Sequence, residues 1–162
     1  MGSANDLKII AEQEATLQFS SFSADTAWAV GSRLRADAVT RVATMTFEVQ
    51  IAGRTLFYAT SGSAPADQMD WIRRKRNVVM RFGRSSYAVG LELEQQGKTI
   101  EQKYGLAVAD NATHGGGFPI VLRGTGCVGS VIASGLPQRE DHAMVVDALA
   151  AVLGVDVVRL GA

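Results

Sequence analysis

One cysteine, Cys127, cannot close a disulfide within the chain or build a multi-cysteine zinc site, so it reads as a buried thiol. Only two histidines occur, His114 and His142, and no H-x-x-x-H spacing joins them, which weakens the metal-hydrolase and structural-zinc readings together. No apolar run approaches the roughly 18 residues that a membrane span needs. The start, MGSANDLKII, lacks a basic n-region followed by an apolar h-region, so the expectation is a cytoplasmic protein without a membrane partner. An excess of one charge is missing too: 16 Lys and Arg balance 16 Asp and Glu, which argues against duplex DNA as a partner. What is present, 47% hydrophobic and 20% charged residues in 162, suits one domain over residues 1–162 with a sizeable core.

The neutral total hides one unbalanced stretch. Between Asp70 and Glu92, Arg73, Arg74, Lys75, Arg76, Arg81 and Arg84 meet no carboxylate. At 100° per residue, Met69, Ile72, Val79 and Met80 group together, Trp71, Val78 and Phe82 widen the apolar arc, and Arg73, Arg74, Asn77 and Arg81 fall opposite. Lys75 and Arg76 fall in or along the apolar arc. An unpaired charge there is costly, so each needs a carboxylate, a phosphate, a ligand acid or a subunit boundary. Acids would have to come from distant segments such as Glu48, Glu92 or Glu140, or from a second copy of the chain.

The rest of the chain reads as alternating blocks. Ser3, Asn5 and Asp6 can cap a first helix, and Ser23 with Asp25 opens a second, whose Gly31 points to close packing on a sheet. Phe19 to Phe22 is a brief extended piece. From Met45 the period changes to two, and Met45 to Ile51, Ala52-Gly53 and Arg54 to Thr60 form a hairpin. The basic helix follows, with Pro65 near its first turn and Gly83 at its end; a helix from Ser85 or Ser86 and a short one from Thr99 to Tyr104 come next. Phe118 to Arg123 and Gly126 to Ala133 make a second hairpin, Pro137 to Leu153 the last helix, and Val155 to Leu160 a final edge strand. This order reads as α+β with an antiparallel sheet.

Chemistry has few places to sit. Gly124-Thr-Gly-Cys-Val-Gly129 spells G-x-G-x-x-G, but a strand continues through it where a dinucleotide site needs a helix to begin. His114 precedes Gly115, Gly116 and Gly117, an arrangement that either exposes backbone amides beside an imidazole or is a plain flexible turn. His142 lies on the apolar stripe of the last helix, as a satisfied core histidine or as a neutral ligand. Ser134-Gly-Leu-Pro-Gln138 is a strand-to-helix turn with a hydroxyl, yet it lacks the G-x-S-x-G order of a nucleophile elbow. Trp71, Phe82 and Tyr87 interleave with cations as in single-strand binders, but helical spacing fits core or interface positions better, so nucleic acid is not expected.

Five stretches in this order, Trp71-Ile-Arg-Arg-Lys-Arg-Asn-Val-Val79, Arg84-Ser-Ser-Tyr-Ala-Val-Gly-Leu91, Lys103-Tyr-Gly-Leu106, His114-Gly-Gly-Gly-Phe-Pro-Ile120 and Ser134-Gly-Leu-Pro-Gln138, resemble the GlcG/HbpS-like haem-degrading domain family, in its small cytosolic, uncharacterised branch. The resemblance implies a GlcG-like, profilin-like three-layer sandwich: an antiparallel sheet of about five strands flanked by helices. It implies homo-oligomers, and in some members haem binding or haem degradation with release of iron. No haem ligand is carried over by motif.

Two readings follow. In one, the chain binds haem or a related tetrapyrrole, with His114, Gly115, Gly116, Gly117, Phe118, Trp71, Arg73 and Arg76 around the ligand and His114 on the metal. In the other, the chain is a non-catalytic oligomeric module for protein interaction or small-molecule binding, and Trp71, Lys75 and Arg76 face another subunit.

Overall fold

The protein, as a computed structural model, is described over residues 3–162; residues 1 and 2, which open the stretch searched for a leader, lie outside. Helices α1 (Ser3–Thr16) and α2 (Ala24–Thr40) precede the hairpin β1 (Met45–Ile51) and β2 (Arg54–Ser61). Helices α3 (Gln68–Phe82), α4 (Ser86–Gln95) and α5 (Ile100–Tyr104) and a 3-10 turn (Val108–Asp110) lead to the hairpin β3 (Gly117–Leu122) and β4 (Gly126–Ser134), and α6 (Gln138–Leu153) closes the chain. The strands form one antiparallel sheet in the order β2-β1-β4-β3.

Alternation along the central strands sends side chains to two different layers. Met45, Phe47 and Val49 of β1 and Val131 and Ala133 of β4 join Phe118 and Ile120 of β3 in a core closed by Val30 and Leu34 of α2 and Val145 and Leu149 of α6. The alternate residues face α3. Thr46 bonds Gln68, Glu48 pairs with Arg76, and Ile132 packs on Ile72 and Val79. On the first face a Cβ on Gly31 would meet the Phe57 ring at 2.3 Å, so α2 approaches β2 as closely as its glycine implies. The result is the expected α+β sandwich, with helices on both sides of the sheet.

The sheet has four strands, not five. Phe19 occupies the outer side of β3 alone, donating its N–H to Val121 O and accepting from Arg123 N, and bridges Leu122 in parallel. Val155 to Leu160 is irregular where an edge strand was expected. That segment lies against α1 and α6: Val158 O accepts from Gln13 Nε2, Arg159 pairs with Asp147, and Val157 is buried in the main core. β-Branched composition favours a strand only where a free edge lies within reach, and this segment has none. Two smaller corrections concern α3. It begins at Gln68 behind Asp67, leaving Pro65 outside the first turn, and Met69 and Met80 are exposed. No helix among the described residues is long and apolar enough to cross a membrane.

Candidate functional site

The buried stripe of α3 is Gln68, Ile72, Lys75 and Val79, spaced by four, three and four residues, so helical periodicity forces a lysine onto the core face. Its charge is answered inside the chain. Lys75, 2% exposed, donates from Nζ to Ala133 O at 2.9 Å and to Asp141 Oδ2 at 3.0 Å. Asp141 also accepts from Leu136 N at 2.9 Å and from Gly135 N at 3.4 Å, so the pair ties α3, the end of β4 and the start of α6 together. Burial pushes the Lys75 ammonium below its usual range and the Asp141 carboxyl above its own, and their mutual attraction opposes both shifts.

Arg73, Arg74 and Arg76 of α3 are also engaged. Arg76 meets Glu48 at 2.7 Å, Arg73 meets Asp70 and Asp110, and Arg74 lies 4.7 Å over the Trp71 ring while donating to Val108 O. Glu48 was among the acids expected. For Lys75 the acid is Asp141, the neighbour of the expected Glu140, and no subunit boundary is needed to satisfy either charge. An interface role for the buried Lys75 is thereby corrected: its side chain is sealed beneath its own sheet and helix.

Above this pair opens a cleft of about 270 Å³. Pro65, Gln68 and Trp71 form one wall, Ser134, Leu136 and Gln138 the other, and Lys75 and Asp141 the floor. His114 stands on the rim, exposed at its outer side and edge-on to Trp71 with ring centroids 5.1 Å apart. Burial of its inner side, with the nearby charges of Lys75 and Arg74, holds its pKa below the ordinary value, so the imidazole is neutral at pH 7 and offers a lone pair. Ser86 Oγ positions it by donating to His114 O while accepting from Gly117 N at 3.0 Å. A second cleft of about 260 Å³, lined by Arg74, Leu93, Lys98 and Thr113, shares His114 as its boundary.

The other expected ligand residues lie elsewhere. Gly115, Gly116 and Gly117 are buried behind the cleft: a Cβ would meet Gln138 O at 2.1 Å from Gly115, Ala133 O at 2.2 Å from Gly116, and the Val79 side chain at 2.7 Å from Gly117. These glycines let the loop pass between packed elements; they do not present amides to the cleft. Phe118 is sealed in the core across the sheet, and Arg73 and Arg76 turn away to their acids. His142 is 1% exposed, with Nε2 2.8 Å from Gln13 Oε1, and burial lowers its pKa to about 3, so it is the satisfied core histidine. Among the described residues no cluster of three His, Cys, Asp or Glu could hold a metal ion. Ser134, Leu136, Gln138 and Asp141 were not expected at the site. The strand-to-helix turn was the signal for them, read only as a failed nucleophile elbow.

A haem needs an axial donor, apolar walls and partners for its propionates. His114 fits the first requirement, and Trp71, Pro65 and Leu136 contribute to the second. At about 270 Å³ the cleft lies just below the ~300–1,000 Å³ usual for drug-sized ligands, so a macrocycle would rest at the mouth across His114 and would not be engulfed.

Residues 22–150 match the model of the family described as haem degrading protein HbpS-like. A UPF0303 protein of Azotobacter vinelandii is 55% identical over 149 residues, covering 91% of this chain and 89% of that protein. The crystal structure of Ybr137w superposes with a TM-score of 0.85 at 28% identity, over 91% of this chain and 87% of that one. The crystal structure of a PduOC:heme complex superposes with a TM-score of 0.69 at 14% identity, over 85% and 98%, a likeness of fold. The chain therefore belongs to the HbpS-like haem-degrading domain family.

Proposed function

We propose that this HbpS-like chain binds haem or a related tetrapyrrole at the mouth of the α3–α6 cleft, with His114 as axial ligand to the iron. The observation that carries the reading is the neutral, rim-exposed imidazole of His114, held edge-on to Trp71 between two clefts. Ser86 orients the loop, Trp71 and Leu136 offer apolar contact, and Arg74 is the cation nearest to hand for a propionate. Haem, when bound, supplies the iron and the redox chemistry on which degradation of its ring depends. The family description and the heme-bound fold relative support this ligand class. Titrating the purified protein with hemin tests it: the Soret band should shift saturably, and His114→Ala should lose most of the shift while His142→Gln keeps it. Equal spectra for wild type and His114→Ala would reject the assignment. Action in the cytoplasm belongs to the same reading, and cell fractionation that finds the chain in an exported fraction would remove it.

A second reading, self-assembly, rests on a different surface. Trp28, 66% exposed, and Tyr58, 43% exposed, flank a groove of about 550 Å³ beside edge strand β2, which carries no charge after Arg54. Edge strands pair with other strands, and although Arg35 Nε donates to Thr60 O at 2.9 Å, an antiparallel β2–β2 contact with a second copy is closed by a two-fold axis. The interface is thus proposed at β2 and α2, since the cations that directed it to α3 are paired internally. Light scattering on wild type should give a multiple of 17.2 kDa, and Trp28→Glu should reduce it. A monomeric wild type at micromolar concentration would refute the assembly.

A further inference from the structure

The floor of the cleft carries more hydrogen-bond donors than its own fold consumes. Ser134 is 5% exposed, lines the cleft, and its hydroxyl has no partner among the described residues. Lys75 places two of its three N–H bonds on Ala133 O and Asp141, which leaves one for the cleft. Helix α6 opens on the same cleft through Leu136 and Gln138, and its first turn has no side-chain cap, because Pro137 precedes it and Asp141 is spent on Gly135 and Leu136. Of the acceptors nearby, both Asp141 oxygens are engaged, Gln68 bonds Thr46 and Thr44 O, and Asp67, which also lines the cleft, is exposed to solvent.

We infer that this floor is a carboxylate subsite, built from Ser134 Oγ, the free N–H of Lys75 and the uncapped first turn of α6, for a small planar acid whose body lies against Trp71. A carboxylate is the acceptor that convergent hydroxyl, ammonium and helix N-terminal donors fit, with Lys75 offsetting the charge of Asp141 beside it. A neutral carbonyl satisfies fewer of these donors. The cleft volume of about 270 Å³ limits the occupant to a small acid, and the indole of Trp71 favours an aromatic one. The subsite shares the cleft with the proposed haem position but needs neither iron nor His114.

Benzoate and benzamide have nearly the same shape and differ in charge and acceptor number. With Trp28→Phe, Trp71 is the remaining tryptophan of the two and reports on the cleft by fluorescence. Benzoate should quench it saturably and bind roughly tenfold or more tightly than benzamide, and Ser134→Ala should weaken benzoate roughly tenfold while leaving benzamide little changed. Equal affinity for the two compounds, or no saturable binding of benzoate, overturns the inference, and this comparison needs no variant in the cleft. Benzoate binding unchanged in a folded Ser134→Ala also overturns it. Hemin binding is a separate readout: loss of the Soret shift in His114→Ala leaves the benzoate result untouched, and the reverse holds for Ser134→Ala.

Discussion

His142 should make the fold acid-sensitive in a window set by its burial. The ring is sealed between Tyr87 and Phe118, with centroids 5.4 and 5.9 Å away, and its one polar contact is Gln13. Burial first, then the charge of Arg139, lowers its pKa from 6.5 to about 3. Between those values the unfolded chain binds a proton that the folded chain refuses, so stability is full above pH 6.5 and falls as pH drops toward 3. From pH 7.5 to 4.5 the loss from this one group is about 2.7 kcal/mol, reaching at most ~5 kcal/mol near pH 3. Other groups bend the same curve. Glu92, held low by Arg84, adds to the acid loss, whereas Glu14 and Asp141, both raised by burial, oppose it. The difference between wild type and His142→Gln isolates the term. Urea unfolding followed by circular dichroism at each pH should give a gap between the two that shrinks by about 2–3 kcal/mol on going from pH 7.5 to 4.5. Parallel curves would refute the reasoning. A histidine NMR titration of the wild type should likewise show one ring, His142, unprotonated down to pH 4.5.

Two further outcomes follow from the site. Lys75→Met strands the Asp141 carboxylate, 2% exposed, and removes a donor from Ala133 O; unfolding free energy should fall by about 3–5 kcal/mol, and a loss under about 1 kcal/mol would show that the pair is not the tie described. Ser86→Ala leaves His114 O and Gly117 N without their shared hydroxyl, which should cost about 1–3 kcal/mol and broaden the His114 resonances; sharp, unshifted His114 signals would contradict its positioning role.

The layered fold was readable because its signals are local. The change of period at Met45, the turn at Ala52-Gly53, the helix start at Ser85 or Ser86 and the glycine stop at Gly83 each fall where the elements begin and end. The strand count was not readable, since whether Phe19 or Val155 to Leu160 adds to an edge depends on which edge the returning chain passes. The site was half legible. The position of Lys75 in the apolar arc demanded an acid, and helical spacing located the demand, but the choice between Glu140 and Asp141 depends on the rotation of α6 about its axis. The glycines after His114 signal an exposed loop and close packing equally well, and only their neighbours, Gln138 O and Ala133 O, decide for packing. Ser134 and Gln138 are 20 and 24 residues from His114; the β3–β4 hairpin that returns the chain was readable, but the docking of α3 over the end of β4, which makes the cleft, is a long-range contact that no local pattern encodes.

The central claim, that His114 is the axial ligand for haem at the cleft mouth, is tested most directly by chemical rescue. His114→Gly removes the imidazole at an exposed rim position where free imidazole can diffuse in. The account predicts that the variant binds hemin weakly with an altered Soret band, and that added imidazole restores the wild-type spectrum and most of the affinity. Wild-type-like hemin binding by His114→Gly without imidazole, or a wild type that shows no saturable hemin binding, would contradict it.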